Sequence, residues 1–218
     1  KYVNSLRLRI ALHLSTNGDC TSEAHAAIAE ILNNPGQYPL IDTNAENMGV
    51  TADTQKDYFN FGKDMAQALR TGSMSACSQT ILNAMNVPAN GLPNANTDPR
   101  LPAMYDCNPD GEYIAYDVRM TNTEISDLQD KKRQEYIKRG ILNANYFCVI
   151  DTIAIAGWET YQGNENLKGL WVGAAEVSLS KAEAYLMGYG VAADANKAKA
   201  CFLDGVKLSN EYYWDMKE

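Results

Sequence analysis

The residues best suited to hold a ligand are aromatic residues that also carry a polar group. The chain has 13 tyrosines and 3 tryptophans against only 4 phenylalanines. Flat aromatic faces pack against the C–H surfaces of sugars, while neighbouring polar side chains bind the hydroxyl groups. Trp158, Tyr161 and Asn164 share one polar loop, and Tyr113 and Tyr116 form a second group. We predict that these five residues bind ligand. The ordinary alternative is packing, because Trp is highly buried on average.

A run of oxygen-bearing side chains has the spacing of a calcium loop. The run matches an EF-hand loop, which has oxygen-bearing side chains at its first, third, fifth and last positions and a glycine at its sixth. The matching residues are Asp106, Asn108, Asp110, Asp117 and Gly111. A proline inside this run, and two prolines where an EF-hand would have its incoming helix, favour an ordinary Asx-rich turn instead. We therefore expect no cofactor and keep calcium as the lesser alternative.

Residues of the common catalytic motifs are sparse. Ser178 and Lys181 match Ser-x-x-Lys, but the companion motifs of that enzyme class do not follow in the sequence, and a helix surface is the simpler interpretation. His13 and His25 are the only histidines, too few for a zinc site without other ligands. The sequence predicts a protein without catalytic activity. A glycoside hydrolase with paired carboxylates is the enzyme alternative.

Composition excludes further classes of protein. The net charge is −8, and the one basic cluster, at 131–133, has acidic neighbours, so nucleic-acid binding is not expected. No apolar run is long enough to span a bilayer. The 5 cysteines are widely spaced, and an odd number cannot pair completely. Buried thiols are expected, with one or two disulfides as the alternative in an exported protein.

Two helices near the C-terminus form the element around which the rest of the chain is organised. We predict a first helix over 172–187, ended by Gly188 and Gly190, and a second helix that Asp194 caps. The apolar stripe of the first helix is Val172, Val177, Leu179, Ala182, Leu186 and Met187, and that of the second is Ala198, Phe202, Gly205, Val206 and Tyr212. The spacing from Ala198 to Gly205 resembles the second half of a tetratricopeptide repeat, where small residues allow close packing.

Another helix pair opens the chain. The first helix is predicted over Tyr2 to Ser15, with Leu6, Ile10 and Leu14 on its apolar face and His13 beside that face. The second is predicted from a cap at Thr21 or Ser22 to Leu32, with Asn and Gly residues around Pro35 ending it. The core positions of this second helix are predicted to be Ala24, Ala27, Ile28, Ile31 and Leu32.

The middle of the chain is less regular. We predict an ordered loop over 38–62 with Tyr58, Phe59 and Phe61 as apolar anchors, then short helices over 64–70 and from Ser73 or Ser75 to Met85. The proline-rich stretch 86–110 is predicted to run over the surface. A strand over 113–120 and a charged helix over 123–139 follow, and 141–157 fits either a helix or a strand.

Three stretches, taken in order, resemble the SusD/RagB family of Bacteroidetes outer-membrane nutrient-binding lipoproteins. YVNSLRLRIALHLS, at Tyr2 to Ser15, is similar to that family's N-terminal helix, and TDPRLPAMY, at Thr97 to Tyr105, to its Asp-Pro-Arg-Leu-Pro turn. The C-terminal helix pair resembles its signature region. The matching positions there are Ala182, Glu183, Ala184, the Gly188 to Gly190 turn, Gly205, Val206, Ser209, Tyr212 and Tyr213.

The resemblance implies a single, mainly α domain with tetratricopeptide-like hairpins and long ordered loops. It implies non-catalytic glycan binding at the cell surface and delivery to a TonB-dependent, SusC-like transporter. A peptide-binding member of the family, or a helical-repeat scaffold that binds proteins, is the alternative. Family members are longer, so we expect this chain to be a central fragment of a surface lipoprotein whose signal and lipid anchor lie elsewhere. A short divergent member of the family is the alternative. Unpartnered helix pairs would make it self-associate or be marginally stable.

Overall fold

The computed structural model describes residues 1–51, 77–151 and 168–217. Within these ranges, seven α-helices and one 3-10 helix combine with two two-stranded sheets, so the predicted mainly α fold is confirmed. The sequence suggested one domain, and the chain divides into two compact units, 1–50 with 168–212 and 51–167 with 213–218. The predicted anchors Tyr58, Phe59 and Phe61 and the helix over 64–70 lie outside the described residues.

Helices α1 (Tyr2–Leu14) and α2 (Thr21–Asn33) open the first unit, and both were predicted. They pack against each other around one apolar core. That core contains Leu8, Ala11, Leu12, Ala24, Ile28, Ile31 and, from a later helix, Ala184.

The buried face of α1 differs from the predicted stripe. Ile10 is 50% exposed and His13 is exposed, whereas Ser5 and Leu8 are buried. A serine can occupy the core here because its polar group has partners: Ser5 Oγ donates to Lys1 O at 3.1 Å and accepts from Ile41 N at 3.0 Å. Of the predicted stripe, Leu6 and Leu14 are partly buried and pack against the core, whereas the prediction is wrong at Ile10.

The predicted N-cap of α2 is also wrong. Cys20 holds the cap position without a side-chain hydrogen bond, and Thr21 Oγ1 instead donates to Asn17 O at 2.8 Å. The backbone N–H of Ala24 donates to Cys20 O, which closes the first turn.

The stretch after α2 contains regular structure that the sequence did not indicate. A 3-10 helix covers Asn44–Glu46, and strand β1 (Met48–Thr51) pairs with strand β4 (Lys168–Val172). A Cβ atom on Gly49 would lie 2.6 Å from Gly169 O. This close approach of two backbones explains why a glycine occupies the strand.

The C-terminal hairpin consists of α6 (Ala174–Met187) and α7 (Ala195–Lys217), as predicted. Gly188 ends α6 with a φ of 72°, a conformation that favours glycine. Asp194 Oδ1 accepts hydrogen bonds from the backbone N–H groups of Asn196 and Lys197, both at 3.0 Å. The predicted cap at Asp194 is therefore confirmed.

Gly190 and Gly205 permit close packing around this hairpin. A Cβ atom on Gly190 would lie 2.1 Å from His25 O, so the turn after α6 packs against the backbone of α2. A Cβ atom on Gly205 would lie 2.9 Å from Leu179 Cγ and 3.1 Å from Ala175 O. The prediction that a small residue brings the two helices together is confirmed at Gly205.

The predicted apolar stripes of the hairpin are only partly buried. Val177, Ala182 and Ala198 are buried. Val172 is buried too, but it lies in strand β4 rather than in the helix where it was predicted. The exposed members are Leu179, Leu186, Met187, Phe202 and Val206. Small residues of α6, among them Ser178 and Ala184, are buried instead, because the helices approach too closely for larger ones.

The second unit has its own core. Its elements are α3 (Gln79–Ala84), α4 (Leu101–Met104), β2 (Tyr105–Asp106), α5 (Asn122–Lys138) and β3 (Val149–Ile150). Strands β2 and β3 are antiparallel, with Tyr105 opposite Ile150. The core residues are Cys77, Leu82, Met85, Val87, Leu101, Tyr105, Tyr113 and Cys148.

Several predictions for this unit need correction. The start predicted at Ser73 or Ser75 lies outside the described residues, and the described helix near the predicted end at Met85 covers Gln79–Ala84, with Ser78 extended before it. The strand expected over 113–120 is a single bridge between Ser78 and Tyr116. Leu101, which the sequence placed in a surface segment, is fully buried. In the run 141–157, Val149–Ile150 form strand β3, and the other described residues are irregular.

Helix α5 was predicted almost to the residue, but its start signal was missed. Thr121 and Glu124 form a capping box, with Thr121 N–H donating to Glu124 Oε2 at 2.7 Å. Tyr136 is the buried residue of this helix, and its neighbour Ile137 is 39% exposed.

The last residues of α7 belong to the second unit. Lys217 Nζ donates to Asp151 Oδ2 at 2.8 Å, and Trp214 Nε1 donates to Pro99 O at 3.2 Å. Neither α7 nor any other helix in the described ranges combines the length and hydropathy needed to cross a bilayer.

Candidate ligand-binding surface

The two predicted tyrosines of the second unit have different environments. Tyr113 is only 7% exposed and packs in the core, and burial raises its pKa to about 12. Its ring therefore has the packing role that the sequence offered as the alternative. Tyr116 is half-buried, and its ring meets Phe147 edge-on, with centroids 6.2 Å apart at 86°. Tyr116 thus remains a candidate for contact with a ligand.

Phe147 links Tyr116 to a second tyrosine that the sequence did not single out. The rings of Tyr146 and Phe147 are 5.1 Å apart and tilted by 59°. Phe147 is buried, whereas Tyr146 is half-buried. Lys132 Nζ lies 5.5 Å from the centroid of the Tyr146 ring, at a cation–π distance.

Helix α5 positions these aromatic residues through Gln129. The Gln129 amide oxygen accepts hydrogen bonds from the backbone N–H groups of Tyr146, at 3.0 Å, and Phe147, at 3.5 Å. The Gln129 amide nitrogen donates to Asn145 Oδ1 at 3.2 Å. A regular helix thus fixes an irregular segment, which gives Tyr146 and Phe147 defined positions.

We define the aromatic surface as Tyr116, Gln129, Lys132, Asn145 and Tyr146. It combines two partly exposed rings with amide and ammonium groups, the mixture that carbohydrate sites use. Lys132 also pairs with Glu135 at 2.9 Å. This pairing raises the pKa of Lys132 and lowers that of Glu135, so both stay charged near neutral pH.

The run with calcium-loop spacing has other partners in this structure. Asn108 is buried, and its Oδ1 accepts hydrogen bonds from the N–H groups of Asp110 and Glu112, both at 3.0 Å. Asp110 pairs with Arg139 at 2.6 Å, which lowers the pKa of Asp110. These contacts organise the segment as an Asx turn.

The two other carboxylates of that run were Asp106 and Asp117. Asp117 pairs with Arg119 at 2.5 Å, and this neighbour lowers the pKa of Asp117 to about 2. Within 1–51, 77–151 and 168–217, three or more His, Cys, Asp or Glu side chains nowhere gather as a metal site would require. Asp106 lies in strand β2 rather than in a loop.

The residues with catalytic motif spacing lie in the hairpin. Ser178 is fully buried, so its expected position on the helix surface is wrong, and its hydroxyl donates to Asp204 Oδ2 at 2.7 Å. This bond joins α6 to α7. His25 stacks on Tyr189 with centroids 5.1 Å apart, and His13 is exposed on another helix. Ser178 and the two histidines therefore have separate surroundings.

Trp158, Tyr161 and Asn164 lie outside the described residues, so the structure does not test their predicted role. Tyr146, Asn145 and Gln129 were missed because they are spread over two elements. The signal that could have found them is the dipeptide Tyr146-Phe147 following Asn145, a short aromatic and amide group of the same kind as that around Trp158.

Comparison with solved structures gives the fold. A SusD homolog from Bacteroides vulgatus superposes with a TM-score of 0.62 and 22% sequence identity, over 99% of this chain and 35% of that chain. This chain thus spans about a third of the length of that protein. At such low identity the match supports the architecture alone. No curated protein matches the sequence.

Comparison with protein families is more specific. The three ordered sequence motifs, the helical hairpin closed at Gly205 and the superposition all agree with one family. The sequence matches the SusD-like family, described as starch-binding and associating with the outer membrane, over residues 1–218. Because the match spans the whole chain, the protein belongs to the SusD-like family.

Proposed function

We propose that this protein binds oligosaccharides without chemical conversion and passes them to a TonB-dependent, SusC-like transporter in the outer membrane. The observation that carries the proposal is the family match over residues 1–218, since that family is described as starch-binding. The protein acts as a surface-exposed lipoprotein in this proposal. Family membership supports the carbohydrate class but not a particular sugar.

The aromatic surface is our proposed contact for the sugar in the second unit. Tyr116 and Tyr146 are half-buried, so each ring is held by the protein while part of it faces solvent. The exposed amide of Asn145 lies beside them and can bind sugar hydroxyls. Because Gln129 fixes the backbone at 146 and 147, little ordering is needed when ligand binds. Trp158, Tyr161 and Asn164 belong to the same proposal on sequence grounds.

Binding assays with matched tyrosine variants test this assignment. We expect Tyr146→Ala and Tyr116→Ala to weaken binding of starch-derived oligosaccharides by about tenfold or more, because each removes a stacking face. Tyr185→Ala is the control, since Tyr185 is also half-buried and also lies near a lysine, Lys197, at 5.3 Å, but in the first unit. Calorimetry with a panel of glycans measures the affinities.

The outcomes separate the alternatives. Loss of binding in Tyr146→Ala and Tyr116→Ala with normal binding in Tyr185→Ala supports the aromatic surface. Loss only in Trp158→Ala would move the site to the segment around that residue. If the wild-type protein bound no glycan, a peptide ligand or a scaffold role would replace the proposal. Release of free sugar from a polysaccharide by the purified protein would contradict a non-catalytic role.

The transporter partner needs a separate experiment. Affinity-tagged protein is expressed in its native host, and outer-membrane fractions are solubilised in mild detergent. We expect a TonB-dependent transporter to co-purify, and we expect added protease to cleave the tagged protein on intact cells. Recovery of the protein from the cytoplasmic fraction, without a transporter, would refute both the partner and the location.

A further inference from the structure

Two buried cysteines lie side by side in the core of the second unit. Cys77 and Cys148 are 2% and 0% exposed, and both belong to the cluster around Leu82 and Leu101. They are separated by about 70 residues of sequence, so only the fold brings them together. Burial of one free cysteine is ordinary, but the contact between two of them calls for a chemical explanation.

The backbone holds the two residues at a distance that suits a covalent bond. The N–H of Cys77 donates to the C=O of Cys148 at 2.9 Å, and the N–H of Cys148 donates to Ile114 O at 2.7 Å. Next to Cys77, Ser78 pairs with Tyr116 in a bridge, which fixes the chain on that side. The direct backbone hydrogen bond brings the two cysteines into adjacent segments, at the close range that a disulfide requires.

The side chains also face each other. The Cys148 thiol hydrogen-bonds to Cys77, and this bond, together with one from Tyr105, lowers the pKa of Cys77 despite its burial. The same contact and burial raise the pKa of Cys148.

We propose that Cys77 and Cys148 form a structural disulfide as the protein folds in an oxidising compartment. The outer-membrane association of the family supplies that compartment, because disulfides persist in the bacterial periplasm and at the cell surface. The other three cysteines, Cys20, Cys107 and Cys201, remain thiols. The proposal concerns the core of the second unit and is independent of which ligand the protein binds.

The chemistry balances with a disulfide as the oxidant. The Cys77 thiolate attacks one sulfur of oxidised glutathione, or of a thiol–disulfide oxidoreductase, and one thiolate leaves. The Cys148 sulfur then attacks Cys77 Sγ of the mixed disulfide and displaces the second thiolate. The oxidant gains two electrons, and the two protons from the cysteines end on its two thiols. Since folded Cys77 and Cys148 are shielded from solvent, the exchange takes place during folding.

The test uses the wild-type chain refolded with a mixture of reduced and oxidised glutathione. The refolded protein is denatured and alkylated without reductant, and modified cysteines are counted by mass spectrometry. We expect alkylation of Cys20, Cys107 and Cys201 only, and a cross-linked peptide that contains Cys77 and Cys148. Reduction before alkylation should modify all 5 cysteines.

A variant without the other thiols gives the matched control. The triple variant keeps both core cysteines, so the pairing of Cys77 with Cys148 can be followed without a change to either residue. Its substitutions are Cys20→Ser, Cys107→Ser and Cys201→Ser. We expect its oxidised form to melt several degrees higher than its reduced form, because the bond closes a long loop in the unfolded chain. Alkylation of both Cys77 and Cys148 after oxidative refolding, or glutathione attached to each of them, would overturn the proposal.

Discussion

Asn108 is a buried polar residue whose amide makes four hydrogen bonds. Its oxygen accepts from the N–H groups of Asp110 and Glu112, and its nitrogen donates to Glu112 Oε2 at 3.1 Å and to Tyr146 O at 3.4 Å. One side chain therefore organises its own turn and holds the segment that carries Tyr146. The residue types around it suggested a cation, but the amide satisfies backbone groups instead.

We predict that Asn108→Ala lowers the free energy of unfolding by about 2–3 kcal/mol, because buried hydrogen-bonding groups lose their partner. Urea denaturation measures the change. Asn90→Ala is the matched control: Asn90 Oδ1 accepts one hydrogen bond, from Leu92 N, at the surface. It should change stability by less than about 0.5 kcal/mol. Equal effects in the two variants would contradict the structural role of Asn108.

Asp117 gives a prediction for acid pH. In the folded protein, Arg119 lowers the pKa of the Asp117 carboxyl from 3.8 to about 2. Since the folded pKa lies below the unfolded one, the stabilisation is complete above pH 3.8 and is lost as the pH falls towards 2. An NMR titration of the Asp117 side-chain carbon should give a midpoint near pH 2, and Arg119→Gln should move it upward. A midpoint near 3.8 in the wild-type protein would refute the pairing.

At the level of elements, Gly205 decides how closely α6 and α7 pack. We predict that Gly205→Val destabilises the protein by about 1–3 kcal/mol, because its Cβ would press on Leu179 and on the backbone oxygen of Ala175. Lys199→Val is the control, since it places the same β-branched residue at an exposed position of α7. Thermal or urea unfolding measures both. A Gly205→Val protein as stable as the control would contradict the close contact.

Helix positions were predictable from the sequence, and so was the core face of α2, because all five of its predicted positions lie in or against the core. The faces of α1, α6 and α7 were only partly predicted. The spacing of apolar residues located α1, α2, α5, α6 and α7, and Gly188 and Asp194 marked the hairpin turn. The buried faces contain Ser5, Ala11, Ser178 and Ala184, because small residues fill a core in which helices lie close together. A pattern built on large apolar residues therefore misses the positions at which small residues are buried.

The aromatic surface was also only partly predictable from the sequence. Tyr116 was predicted because it lies in an aromatic stretch, whereas Tyr146 gains its role only from long-range contacts. Phe147 joins the two rings, and Gln129 in α5 holds the segment in place. These partners are distant in sequence, so neither composition nor periodicity could have grouped them. The strand predicted over 113–120 failed for the same reason, since a strand needs a partner of matching length.

At the scale of the whole molecule, the family was predictable because its motifs have structural roles that can be seen here. In the Asp-Pro-Arg-Leu-Pro turn, Asp98 accepts hydrogen bonds from the backbone and side chain of Arg100, and Leu101 is fully buried. In the first unit, Arg9 of the N-terminal motif pairs with Glu176 of the hairpin. These contacts join segments that lie far apart in the sequence. The sequence alone showed only the order of these segments along the chain.

The hairpin also has an exposed apolar stripe on α7. Phe202, Leu203 and Val206 share one side of that helix and are 53%, 55% and 40% exposed. The expectation that the chain associates with itself stays a prediction, and this stripe is where we expect the contact. The double variant Phe202→Ser/Leu203→Ser should have a sedimentation coefficient closer to that of the monomer at high protein concentration. Val118→Ser is the control, because Val118 is a 68% exposed residue of the second unit, and it should leave the sedimentation coefficient unchanged. A wild-type chain that is monomeric at all concentrations would contradict the prediction.

The division of the chain into two units has a consequence for the order of events during synthesis. The first unit combines residues 1–50 with residues 168–212, whereas nearly all of the second unit lies between these two stretches. Strand β1 therefore cannot pair until β4 has been made, and the core between α1 and α2 is completed only when α6 supplies Ala184. The second unit can collapse earlier, while the N-terminal helices still expose apolar surface to chaperones. Long-range pairing of this kind slows folding, so the joining of the two halves of the first unit is expected to be the late step.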